Sequence, residues 1–121
     1  MKSIVIVSPE VDKWGDFTAE LGGKCQMDVI QARSGAEAIA TAQEKKPVAM
    51  VIDQDLGDMK GIDLVPQLLQ IDAFVNIALI SGQSEAVFHE ATEGLGILMQ
   101  LPPCPDAQAA NDFSMRLTGV I

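Results

Sequence analysis

Val51-Ile52-Asp53-Gln54-Asp55-Leu56-Gly57-Asp58-Met59-Lys60-Gly61-Ile62-Asp63-Leu64 is the stretch on which the fold turns. It closes an apolar run, Val48 to Asp53, of about the length of an average strand. It then breaks into a polar loop and resumes after Gly61 with apolar residues at helical spacing. Four of the 17 acids, Asp53, Asp55, Asp58 and Asp63, fall within eleven residues of one another. A carboxylate at the end of a buried strand is costly to leave unpaired in low dielectric. Asp53 is therefore either a functional acid or a strand end wetted by its loop, and spacing alone does not separate the two.

Outward from this window the same alternation repeats. Apolar runs predict strands over Ser3 to Val7, Met27 to Ala32, Val48 to Asp53, Val75 to Ile80 and Ile97 to Leu101. Between them, helical spacing predicts helices over Val11 to Leu21, Ala36 to Lys45, Ile62 to Gln70, Glu85 to Glu93 and Ala107 to Leu117. Trp14, Phe17 and Leu21 form one apolar stripe, and Ala110, Phe113 and Leu117 another. Ser34 with Glu37 reads as a capping box, Ser84 and Asp106 read as caps, and Pro47 ends the second helix. Pro66 lies at the edge of the turn that tolerates proline and is expected to kink the third helix. Five β-α units with nearly continuous apolar strands imply a parallel α/β sheet with helices on both faces.

The chain of 121 residues, 48% of them hydrophobic, has a mean hydropathy of +0.22 and suits a single domain over residues 1–121. Its net charge of −9 repels phosphate backbones and anionic lipid, which argues against nucleic acid and membrane surfaces as partners. No apolar run approaches the roughly 20 residues that span a bilayer, and Lys2 alone before the first apolar run is too little for a signal peptide. A cytoplasmic location is expected. Cys25 and Cys104 fit neither a zinc site nor a CxxC redox motif and read as free thiols. His89 with Glu93 lacks further ligands and reads as a solvated face, while the six Met residues read as core filler. Gly22-Gly23-Lys24 is no phosphate-binding loop, because no GxxxxGK[ST] surrounds it.

In an open α/β sheet, ligands collect beyond the carboxyl ends of the strands. The residues there are Ser8-Pro9-Glu10, Asp53-Gln54-Asp55, Ser81-Gly82 and Leu101-Pro102-Pro103. Over nearly its whole length the chain resembles the receiver domain of bacterial two-component response regulators, the flavodoxin-like fold of the chemotaxis response regulator. The likeness rests on the five β-α units and on Asp53 standing eight residues before Gly61, the interval between that family's phosphoacceptor and the glycine opening its third helix. Ser34-Gly35 with Ala38-Ile39, Ser81-Gly82, Gly94 and Pro102 match it as well. The resemblance, not the spacing, implies the strand order 2-1-3-4-5. It also implies Asp53 as phosphoacceptor and Ser81 as the residue that meets the phosphoryl group.

Departures from the family pattern are equally specific. The acid pair that ends the family's first strand, and helps hold Mg²⁺, falls on Ser8 and Pro9. The lysine before the proline after the fifth strand falls on Leu101, and the switch aromatic on Leu98. Mg²⁺ wants oxygen ligands and charge, and here it would have Asp53, the Asp55 carbonyl and Ser8 or Glu10, so weak binding is expected. Phosphoryl transfer relies on that metal and cation for charge neutralisation. The resemblance therefore implies a non-enzymatic signalling module with a degenerate phosphorylation site. Its partners would be proteins, a sensor kinase or a downstream output protein, and a homodimer is compatible. Two alternatives stand beside this pseudo-receiver: a receiver that does accept phosphate on Asp53 from a histidine kinase, and a flavodoxin-like cofactor binder. The latter is disfavoured by a proline and two acids in Ser8-Pro9-Glu10-Val11-Asp12, where a flavin phosphate would need free amides.

Overall fold

Alternation along each strand sends its side chains to two opposite cores. The computed structural model describes residues 3–25, 27–103 and 105–120. Its strands are β1 (Ser3–Val7), β2 (Asp28–Ala32), β3 (Ala49–Ile52), β4 (Asn76–Ile80) and β5 (Met99–Leu101). The helices are α1 (Gly15–Cys25), α2 (Gly35–Lys45), α3 (Gly61–Ile71), α4 (Glu85–Ala91) and α5 (Ala107–Thr118), with a 3₁₀ turn, Val11–Trp14, ahead of α1. All strand pairs are parallel and the order is β2-β1-β3-β4-β5. This is the flavodoxin-like arrangement expected.

On one face Ile4, Ile6, Ala49, Val51, Ala78, Ile80 and Leu101 pack under Trp14, Phe17 and Leu21 and under Ala110, Phe113 and Leu117 of α5. Trp14 and Phe17 meet edge to face, with ring centroids 6.0 Å apart. Phe113 is fully buried, so truncating it to alanine would cost about 3–5 kcal/mol. The opposite face sets Val5, Val7, Met50, Ile52, Ile77 and Leu79 against Ala38 and Ala42 of α2, Leu64, Val65 and Leu68 of α3, and Phe88 of α4.

Caps fall where the sequence puts them. Ser34, Ser84 and Asp106 accept the N–H groups of Glu37, Val87 and Ala109 at 3.1, 3.3 and 3.0 Å. Lys46, left-handed at φ 46°, closes α2 before Pro47. Most other boundaries fall within a residue of expectation, and the larger differences have local causes. The first helical segment splits into a 3₁₀ turn and a helix running through Gly22-Gly23 to Cys25, because Phe17 and Leu21 anchor it in the core against the low helix propensity of glycine. α4 stops at Ala91, where Thr92 turns its hydroxyl back to the Phe88 carbonyl and Gly94 takes φ 85°. β5 is shorter than expected, and the Leu98 N–H on the Ile77 carbonyl (2.7 Å) is the rung leading into it. α3 runs unbroken through Pro66, which lies on its exposed face, where water can replace the missing donor. Cys25 ends α1; Cys104 lies outside the described residues.

Candidate functional site

Register alone brings the first two site residues together. Val7 of β1 pairs with Ile52 of β3, so the next residues, Ser8 and Asp53, emerge side by side at the carboxyl edge. The Asp53 N–H continues the ladder onto the Val7 carbonyl, and the Ser8 N–H onto that of Ala32, both at 2.9 Å. Ser8 is fully buried and donates its hydroxyl to Asp53 Oδ2 at 2.7 Å, while accepting the Glu10 N–H at 3.0 Å. The other carboxylate oxygen, Oδ1, accepts the N–H of Gln54 at 2.8 Å. Asp53 is thus held by one side chain and one peptide group.

The remaining acids of the window face elsewhere. Asp55 folds back on its own loop, accepting the N–H of Gly57 (3.0 Å) and the Lys60 ammonium (3.2 Å), as Asp55 and Lys60 bridge across a turn with Gly57 at φ 83°. The Gly57 N–H first, and Lys60 second, hold its carboxyl below the usual range. Asp58 reaches the start of α2 and accepts the N–H groups of Gly35 (2.9 Å) and Ala36 (3.1 Å), which lower its pKa in that order. A helix start carries unpaired donors and partial positive charge, so this acid is a cap supplied from another loop. Asp63 is exposed on the first turn of α3.

Gly61 has a steric reason. A Cβ there would run into the backbone carbonyl oxygen of Asp53, while the Gly61 N–H donates to the Gln54 carbonyl at 3.1 Å. The eight-residue interval between Asp53 and Gly61 is therefore the length of a loop that returns onto its own origin.

Ser81, nearly buried at the end of β4, accepts the Gln83 N–H at 3.1 Å and does not cap α4, a task taken by Ser84. Gln54 bridges toward it, its Oε1 accepting the Gly82 N–H at 3.4 Å. Beneath these loops lies a cleft of about 200 Å³ lined in part by Gln54, Lys60, Ser81 and Gln83. Leu101 is buried, its side chain committed to the α1 and α5 core, and Leu98 packs against the same core. Pro9 and Glu10 are exposed. Asp12 is engaged by the Arg33 guanidinium at 3.0 and 3.2 Å.

Carboxylate charge for Mg²⁺ is thin at this end of the sheet: Ser8 and Pro9 carry none and the Asp55 carboxylate is taken by Gly57 and Lys60, which leaves Asp53 with the neutral oxygens of Ser8 and the Asp55 backbone. Among the described residues no three His, Cys, Asp or Glu side chains gather into a metal site. The sequence reading missed two residues, Asp58 as a distant cap and Gln100, whose amide spans the loop after β4. A lone amide in the apolar run Ile97 to Leu101 was the available signal for Gln100.

A doubly wound sheet in this order, with an acid ending β3 and a hydroxyl ending β4, defines a flavodoxin-like α/β fold. The family model of the response regulator receiver domain matches residues 15–101, and the chain belongs to that family. Its backbone is similar to that of chemotaxis response regulator CheY4 of Vibrio cholerae, with a TM-score of 0.83 and 17% identity over 97% of this chain and 98% of that one. A two-component response regulator from Clostridium difficile gives a TM-score of 0.83 at 15% identity, over 98% of this chain and 97% of that one. The receiver domain of AraT from Geobacillus stearothermophilus gives 0.84 at 17%, over 98% and 93%. No curated protein matches the sequence. No helix among the described residues is long and apolar enough to cross a membrane.

Proposed function

We propose that this receiver domain is a pseudo-receiver, a single unit over residues 1–121 that signals through protein contacts without a phosphoryl group on Asp53. The observation that carries this reading is the buried Ser8 hydroxyl donating to Asp53 Oδ2 at 2.7 Å. That bond occupies an acceptor oxygen of the would-be nucleophile and stands where the resemblance implies a metal-binding acid. Phosphoryl transfer proceeds by positioning and neutralisation of charge. Here Leu101, buried in the core, brings no cation, and the Lys60 ammonium is paired with Asp55. Asp53 then serves as a polar anchor between β1 and β3, and sensor kinases or output proteins are docking partners rather than phosphate donors or readers of phosphate.

Incubation with acetyl phosphate and Mg²⁺ followed by intact-mass spectrometry tests this. The expected result is no mass gain in the parent protein. One added phosphoryl, lost on Asp53→Asn, would establish the phosphate-accepting reading instead.

A further inference from the structure

Gln100 is the one polar residue in the run Ile97-Leu98-Met99-Gln100-Leu101. It stands opposite Leu79 of β4 and is half-buried, where an amide lowers stability unless its N–H groups find acceptors. They find two. Nε2 lies 3.1 Å from the Ser81 carbonyl and 2.8 Å from the Gln83 carbonyl, so one side chain of β5 holds both ends of the loop joining β4 to α4. Inside that loop the Gln83 N–H donates to Ser81 Oγ at 3.1 Å. On the β3 side the loop is tied by the longer bond from Gly82 N–H to Gln54 Oε1, 3.4 Å. At that length the bond is weak, so beside the ladder bond from the Ser81 N–H to the Leu101 carbonyl, 3.0 Å, the short pair from Gln100 is the stronger side-chain restraint on the loop.

We propose that Gln100 is the positioning residue of the Ser81 hydroxyl: by gripping both carbonyls it fixes the loop in the pose that turns Ser81 Oγ to Gln83. The loop is thus set from β5 while Asp53 carries no phosphoryl group. These contacts are those of the unphosphorylated chain, so the proposal does not rest on the pseudo-receiver reading.

The test is NMR relaxation of the backbone amides of Gly82, Gln83 and Ser84 in the full chain. In the parent these residues should be as ordered as the strands, with order parameters of about 0.85. In Gln100→Leu and in Gln100→Glu, which keeps the shape but replaces the N–H₂ donor with a carboxylate, they should fall below about 0.6 while the β1 and β3 amides stay rigid. Gln100→Lys, which returns donors to the same reach, should keep the loop ordered. The proposal is overturned if the Leu and Glu variants leave the loop as ordered as the parent. It is also overturned if mobility rises equally in β1 and β3, or if the Lys variant is as mobile as the Leu variant. A leucine variant that fails to fold leaves the isosteric glutamate variant to decide.

Discussion

Ser8 illustrates how much chemistry one hydroxyl can hold in place. It donates to Asp53 and accepts from Glu10 with no exposure to water. Ser8→Ala would remove both bonds, and the half-buried Asp53 would keep the Gln54 N–H but lose its hydroxyl donor, at a cost of about 1.5–3 kcal/mol for a hydrogen bond to a charged group. A lower urea midpoint with an unchanged m-value would show it. Asp58 yields a pH prediction. Its carboxyl is held below the usual carboxylate range by the N–H groups of Gly35 and Ala36, so it stabilises the fold fully above its unfolded value of about 3.9. That stability is lost as pH falls through the lower folded value, and Asp55 acts in the same direction through Gly57 and Lys60. Thermal melts should therefore show a smaller loss between pH 6 and pH 3 in Asp58→Ala than in the parent, and a lower starting melting temperature at pH 6. The sequence made Asp53 legible because it ends an apolar strand. It could not assign Asp58, whose partners lie 23 and 22 residues away, because only the folded chain brings that loop to α2.

At the level of elements, strand and helix periodicity was readable wherever one face had to be buried, and boundaries were lost where tertiary packing overrode local preference. Gly22-Gly23 suggested a helix end, yet α1 continues to Cys25 under the hold of Phe17 and Leu21. Pro66 suggested a kink, and it sits inside a helix continuous from Gly61 to Ile71, on the side that water can reach. Two helix-opening glycines separate rigid from yielding neighbours. At Gly61 an added methyl meets the Asp53 carbonyl, which belongs to backbone fixed by β3. At Gly35 it meets the side chain of Met59, a flexible thioether that can turn aside. Gly61→Ala should thus lower stability by about 1–3 kcal/mol. Gly35→Ala should lower it less, because alanine's helix propensity offsets part of the crowding. The opposite ranking in chemical denaturation would contradict the contact at Asp53.

For the whole molecule, the order β2-β1-β3-β4-β5 came from resemblance, and the structure has it. That order is why Ser8, 45 residues before Asp53, is its neighbour. Rebuilding the missing charges with Ser8→Asp, Pro9→Asp and Leu101→Lys should raise the rate of phosphorylation by acetyl phosphate well above the parent's, at a cost in stability. The carboxylates would repel one another, and the introduced ammonium would have to leave a core that now holds Leu101. A parent that reacts as fast as the triple variant would contradict the idea that these three positions disable the site. The reach of Asp58 back to Gly35 also orders events on the ribosome. At about 5–20 residues per second, Asp58 is synthesised on the order of one to five seconds after the helix start it caps, 23 residues earlier. Until then the nascent α2 has only Ser34 to close its first turn, so its completed beginning is a product of the third β-α unit rather than of the second.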